Sequence, residues 1–352
     1  MQVRPGKVLI LGCGTIGQIK AGLWLSLGAD VYLYDTSPSQ VSKLLTTDKR
    51  LQRFGHQQLD NLMIDISTPS DQHASSMSWI YKNIKNPRTI LVEKPICTNV
   101  DDRAVIKRLL NKHEGVPVFV NESYFWSTAL DWTSDQLQMN NEEIISIEIN
   151  LSKNRLADTR SGRFFDRELE SYGIEIPHAI AILQKFGIGI DELSVRTNIM
   201  CRGEDDSFNQ GVHLILSDTS DRIVKIDSFL GDFMIQADEK IQNSLKRWLL
   251  VETDKQNKYH VWFDPVAGEQ RFKSIVEING IETIALDDNH LRRHLEQVQF
   301  AKLSTTMKQY LSPANSIAIY DFLERLYASK IEDNVSDKVI QHDWAGERTG
   351  VT

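Results

Sequence analysis

Six residues near the start of the chain, Gly12-Cys13-Gly14-Thr15-Ile16-Gly17, restrict the fold more than any other segment. They stand directly between an apolar run, Val8-Leu9-Ile10-Leu11, and a stretch in which Ile16, Ile19, Leu23 and Leu27 recur at helical spacing. A G-x-G-x-x-G turn alone is a weak signal, because glycine-rich turns are common. Between a buried strand and a helix it gains a mechanical sense. The first glycine permits a tight turn, the second lets the backbone approach a pyrophosphate, and the third lets helix and strand pack closely. The N–H groups of the helix start then face an anion. Asp35 completes the pattern at the end of a second apolar run, Val31-Tyr32-Leu33-Tyr34, where a carboxylate accepts both hydroxyls of an adenosine ribose. A dinucleotide site is the expectation. Asp35 would repel a 2′-phosphate, and Thr36-Ser37-Pro38 brings no adjacent arginine to offset it, so NAD is the expected cofactor.

The same alternation continues to about residue 120. Leu62 to Ile66, Thr89 to Val92 and Val116 to Val120 are further strand-like runs separated by helical stretches, which is the signature of βαβ units and a parallel sheet. Beyond residue 122 the texture changes. Ile144–Leu151, Val212–Leu216, Ile223–Phe229, Trp248–Val251, His260–Phe263, Phe272–Ile278 and Thr283–Leu286 follow with only one helix among them, near Pro177. Two helices, Leu291–Leu303 and Ala314–Ser329, precede a polar tail expected to be peripheral from Ile331 onward. The fold class expected is an α/β Rossmann domain with a parallel sheet over residues 1–122, then an α+β domain with an open, mostly antiparallel sheet over 123–352. A chain of 352 residues suits two such domains.

Composition excludes several function classes. A formal charge of −8, with lysine and arginine scattered, attracts neither nucleic acid nor an anionic membrane. Nothing resembles a membrane span or a leader with a cleavage site, so the cytoplasm is the expected compartment. Cys13, Cys97 and Cys201 have no paired spacing, so neither a disulfide framework nor a metal site is expected, and packing is the expected role of Cys97 and Cys201.

Two further motifs sharpen the assignment. Thr68-Pro69, with His73 four residues on, follows the third run, and Glu93-Lys94-Pro95 ends the fourth. Together with the glycine turn they resemble the Gfo/Idh/MocA oxidoreductases, most strongly over residues 7–126. The resemblance implies that Lys94 lies beside the nicotinamide and contacts the substrate hydroxyl, that the Lys94–Pro95 bond is cis, and that the open sheet of the second domain joins subunits into a dimer or tetramer. It also implies a catalytic histidine in the second domain with an aspartate four residues before it. The matching histidine is His178, but the aspartate position holds Ile174 and a second acidic position holds Ala181. Glu175 is the nearest acid. A helix that already includes Ile174 would put Glu175 and His178 on one face, whereas one that starts at Pro177 would leave Glu175 outside it. A helix N-terminus favours a neutral imidazole able to accept a proton.

The expected site is therefore Lys94, His178 and Glu175 for catalysis, with Gly12 to Gly17, Asp35, Thr68, Pro69, His73, Glu93, Lys94 and Asn121 around the cofactor. Asn121 is either a ligand contact or hinge packing, and His73 either orders its loop or caps a helix. Lys153 to Tyr172 holds five basic and four acidic residues, among them Arg155, Arg163 and Asp166; a solvated loop is expected there in preference to an anion-binding fork. The expected reaction moves hydride between nicotinamide and a secondary alcohol or ketone of a sugar, amino sugar or cyclitol. Alternatives are reduction of an imine or conjugated double bond, and NAD(H) sensing without catalysis.

Overall fold

The computed structural model describes residues 6–55, 61–162, 164–203, 208–231, 245–263, 272–299 and 302–334. The chain divides into two compact units, residues 1–123 with 291–321, and residues 124–290 with 322–352.

The first unit opens with β1 (Lys7–Leu11), α1 (Thr15–Ser26), β2 (Asp30–Tyr34), α2 (Pro38–Leu45), β3 (Gln52–Arg53) and β4 (Leu62–Ile66). It continues through α3 (His73–Asn83), β5 (Thr89–Glu93), α4 (Val100–Lys112) and β6 (Val118–Asn121). The strands form one parallel sheet in the order β3-β2-β1-β4-β5-β6. Val8 to Ile10 and Leu62 to Ile64 are fully buried, as expected of central strands covered by helices on both faces. The order reverses between β1 and β4, and in such sheets ligands bind beyond the carboxyl ends of the strands at that point. The glycine turn follows β1 and the Thr68-Pro69 turn follows β4, so both lie there.

The second unit contains α5 (Thr128–Met139), β7 (Ile144–Lys153), α6 (Leu156–Arg160), α7 (Ser171–Ile174), α8 (Ile176–Lys185), β8 (Ser194–Arg202), β9 (Gln210–Ser217) and β10 (Ile223–Phe229). Then come β11 (Leu245–Thr253), β12 (Lys258–Trp262), β13 (Lys273–Ile278) and β14 (Ile281–Asp287). Alternation along the strands buries Ile147, Ile149 and Leu151 of β7 on the face that also takes Val224 and Ile226, Val212 and Leu214, and Leu249 and Val251. The opposite face carries charged pairs such as Lys225 with Glu148 at 3.2 Å and His213 with Asp227 at 2.8 Å. The sheet is antiparallel apart from β7 with β10 and β8 with a last strand, β15 (Ile331–Asn334).

Two expectations are corrected. Residues 291–321 do not belong to the second domain. Most of α9 (His290–Gln299) and all of α10 (Thr305–Tyr310) belong to the first unit. There Leu295 and Val298 share a buried cluster with Val8, Ile10, Trp24 and Leu33. Helix α11 (Pro313–Ala328) begins in the first unit and ends in the second. Nor is the chain from Ile331 wholly peripheral, because β15 pairs with β8 and Glu332 meets Arg202 at 3.4 Å. Residues 335–352 lie outside the described residues. Among the described residues no helix is long and apolar enough to cross a membrane.

Candidate functional site

The glycine turn is shaped by contacts that leave no room for side chains. Gly12 has a φ of +95°, and a Cβ there would stand 2.7 Å from the Thr68 nitrogen. A Cβ on Gly17 would stand 1.9 Å from the Gly12 carbonyl oxygen. Gly14 differs: a Cβ there would meet no atom within 4 Å. Gly14 caps α1, no side chain caps the helix, and its first turn carries no acid. Thr15 and Ile16 contribute to that turn. Its free N–H groups and dipole make a cradle for an anion.

Asp35 sits beside the turn. Its carboxylate accepts hydrogen bonds from the Cys13 N–H at 2.7 Å and the Ser37 N–H at 2.8 Å. One bond to each oxygen leaves acceptor capacity for hydroxyl groups. Burial, reinforced by the Asp35 charge, pushes the Cys13 thiol up to about 12 against the opposing field of Arg53. Cys13 is thus a protonated packing residue, and Cys97 and Cys201 are also buried. Arg53 is the residue that sequence reading missed here. It ends β3, one strand over from Asp35, and donates to Ser42 Oγ at 2.9 Å. Its separation of 18 positions from Asp35 hides it from any local motif.

The next two strand ends are joined by one imidazole. His73, fully buried at the start of α3, has Nε2 3.1 Å from the Thr68 carbonyl oxygen. Its Nδ1 lies 3.0 Å from the Pro95 carbonyl oxygen. The ring ties the Thr68-Pro69 turn to the turn that carries Lys94, and burial holds its pKa below the ordinary value. The Lys94–Pro95 bond is cis, and Lys94 is half-buried directly after β5. Glu93 points inward. Its carboxylate pairs with the fully buried Lys20 of α1 at 2.5 Å and accepts from Asn121 Nδ2. Lys20 also meets Asp65 of β4 at 2.6 Å, and Trp24 Nε1 donates to the same carboxylate at 2.8 Å. Burial disfavours both charges, but mutual attraction prevails: the Lys20 pKa is raised and the Glu93 pKa lowered. The Glu93 and Asn121 side chains therefore bond to each other inside the protein, while the Asn121 Oδ1, also buried, accepts no hydrogen bond.

In the second unit, Glu175 is the cap residue of α8, which begins at Ile176 with Pro177 in its first turn. Glu175 lies outside the helix, and its carboxylate receives both 3.3 Å contacts from Arg247 Nη2. The half-buried His178 packs on Tyr124, ring centroids 5.0 Å apart. Tyr124 also lies 5.0 Å from His290 and 5.1 Å from Phe263. Arg247 Nη1 stands 3.5 Å from the Tyr124 hydroxyl. Arg247 and His290 were not anticipated, because each reaches this cluster from an element remote in sequence. The stretch after Lys153 is not simply a solvated loop. Arg155 is 8% exposed and donates to the Phe164 carbonyl oxygen, and the fully buried Asp166 accepts from the Glu168 and Leu169 N–H groups. Arg163 lies outside the described residues.

No family model matches the chain. No curated protein matches it. Solved structures do. One is a protein from Desulfitobacterium hafniense assigned by name to the NADPH-dependent oxidoreductases. It is 15% identical with a TM-score of 0.72, and the match covers 93% of this chain and 96% of that one. Another is KijD10, a 3-ketoreductase from Actinomadura kijaniata solved with NADP, at 14% identity and a TM-score of 0.66 over 94% of this chain and 100% of that one. A third is a protein from Erwinia carotovora atroseptica assigned by name to the oxidoreductases, at 10% identity and 0.67 over 93% and 99%. At such identities the likeness establishes a shared fold.

Proposed function

We propose that the chain is an oxidoreductase that uses a nicotinamide dinucleotide to interconvert a secondary alcohol and a ketone on a sugar-like or cyclitol-like ring. The observation that carries this reading is the uncapped start of α1 behind Gly14, with Asp35 beside it. Backbone amides there suit a pyrophosphate, Asp35 suits ribose hydroxyls, and the unused Asn121 Oδ1 suits an amide donor. The bound dinucleotide supplies or takes the hydride. Lys94 holds the substrate oxygen and offsets negative charge that develops on it. An imidazole of the second unit exchanges the hydroxyl proton, and the sequence points to His178. Glu175, engaged by Arg247, braces the start of α8.

Asp35 favours NAD. A reading with NADP is supported by Arg53, whose positive field reaches the turn, and by the NADP bound to KijD10. Calorimetry with NAD, NADH, NADP and NADPH, followed by an absorbance screen against cyclitols, hexoses, sugar phosphates, nucleotide sugars and amino sugars, tests both parts. Tighter binding of NAD and NADH, with turnover of at least one ring alcohol or ketone, is the expected result. Absence of binding by all four at millimolar levels overturns the enzyme reading.

A further inference from the structure

An asparagine side chain donates at one end and accepts at the other, and the two ends have nearly the same shape. Which end Asn121 turns to a neighbour is therefore settled by the neighbour's chemistry. Asn121 ends β6 in register with Glu93 at the end of β5, and it is 3% exposed. Its amide bonds to Glu93 Oε1, and a carboxylate only accepts, so the end that faces Glu93 is Nδ2. Glu93 keeps its charge through a chain of buried contacts. Lys20 Nζ lies 2.5 Å from Glu93 Oε1 and 2.6 Å from Asp65 Oδ1, and Asp65 also accepts from Trp24 Nε1 at 2.8 Å. Burial works against a charge on Glu93, but the Lys20 ammonium and the Asn121 bond outweigh it and hold the Glu93 pKa below the ordinary value. The amide is thereby locked. Nδ2 is committed to Glu93, and Oδ1 at the other end accepts no hydrogen bond among the described residues.

The order of the first sheet says which part of a dinucleotide meets that oxygen. With the pyrophosphate on the start of α1 after β1, and the adenosine on Asp35 after β2, the other half of the molecule runs the opposite way, over the ends of β4, β5 and β6. Resting on the reading above, we infer that Asn121 reads the substituent on the pyridine ring by presenting an acceptor alone, with Lys20 and Glu93 as its positioning residues. The class of ligand selected is a dinucleotide whose ring carries an N–H donor, as a carboxamide or a thioamide does. A ring that carries an acetyl group offers this oxygen no proton and leaves it unpaired in the complex. A ring that carries a carboxylate does the same and adds repulsion between acceptors. A buried acceptor left without its partner costs about tenfold in affinity or more. The selection uses residues of the first unit only, drawn from α1, β4, β5 and β6.

Calorimetry on the unaltered chain tests this without turnover. The ligands are NAD and its thionicotinamide, 3-acetylpyridine and nicotinic acid analogues, or the same series with a 2′-phosphate should NADP bind more tightly. The thionicotinamide analogue is expected to bind within about threefold of the parent dinucleotide, and the acetylpyridine and nicotinic acid analogues at least about tenfold more weakly. Equal affinity for all four, or tighter binding of the acetylpyridine analogue than of the parent dinucleotide, overturns the inference and leaves the parent reading standing. Binding of no member of either series sinks both. Variants then test the lock. Glu93→Gln keeps the shape and lifts the restriction, since a glutamine amide can donate to Asn121 and free Nδ2 to face the ligand. The acetylpyridine penalty is expected to shrink to about twofold or less, because Nδ2 then donates to the acetyl oxygen. Asn121→Ala removes the reader and levels the same two affinities, and it carries the test if Glu93→Gln does not fold. A full penalty in folded Glu93→Gln overturns the lock, and a full penalty in Asn121→Ala overturns the role of Asn121.

Discussion

Gly14 and Gly17 belong to the same turn, yet they answer to different demands. The methyl of Gly17→Ala would meet a backbone carbonyl at 1.9 Å, and backbone cannot step aside as a flexible side chain does. That variant is expected to lose about 1–3 kcal/mol of stability from overpacking, together with its dinucleotide affinity. The methyl of Gly14→Ala meets no protein atom. It should leave the denaturation midpoint unchanged while weakening dinucleotide binding at least about tenfold, because it fills the approach to the helix amides. Denaturant titration and calorimetry on the pair separate packing from binding, and equal affinity of Gly14→Ala and the parent would remove the cradle from the proposal. Lys94 gives the complementary case. Lys94→Ala is expected to bind NADH normally and to turn over at least about a hundredfold more slowly, since its charge is useful only as negative charge grows on oxygen.

At the scale of elements, the ends of β4, β5 and β6 are held together by a buried charged group. Lys20 of α1 meets Asp65 and Glu93, and Glu93 meets Asn121. Replacing it by Lys20→Met strands two carboxylates in the interior, at a cost of about 3–5 kcal/mol near neutral pH. The carboxylates then escape by taking up protons, so the gap between variant and parent should narrow as the pH falls from 7 to 5. Denaturant unfolding across that range checks it, and a gap that stays constant would argue against stranded charge. This cluster also explains how far the sequence could be understood. The glycine turn, Asp35 and the E-K-P end of β5 are local patterns, and the parallel sheet follows from them. Strand β8 escaped notice because Ser194, Arg196, Thr197 and Asn198 interrupt its apolar residues; an edge region tolerates such a sequence where the centre of the first sheet does not. Arg53 acting on Cys13, Arg247 on Glu175 and His290 beside Tyr124 are tertiary relations across 40, 72 and 166 positions, and no periodicity announces them.

For the whole molecule, the decisive feature is that the chain leaves its first unit at Ser123 and returns to it at Leu291. Helix α9 brings back Leu295 and Val298 for the core, and with them His294, which is fully buried. Burial, helped by the nearby Lys20 charge, depresses the His294 pKa to about 3. A histidine kept neutral when folded and released to its ordinary value of about 6.5 when unfolded binds its proton only in the unfolded state. Its contribution is therefore complete above about pH 6.5 and declines as the pH falls from there toward 3, by about 1.4 kcal/mol per pH unit. His73, buried with a lowered pKa in the same unit, acts in the same direction. The carboxylates with lowered pKa values, Glu93 and Asp288, give up their contributions only at lower pH, below their unfolded values of about 4.3 and 3.9. Between pH 6.5 and 5 the histidines should thus dominate the slope. His294→Leu is expected to flatten the pH dependence of unfolding in that window by about 1.4 kcal/mol per pH unit, whatever it does to stability at pH 7. Denaturant titrations of parent and variant at pH 6.5, 6.0, 5.5 and 5.0 measure the difference. Parallel lines would mean that His294 already carries its proton in the folded protein, and that α9 does not enclose it as described.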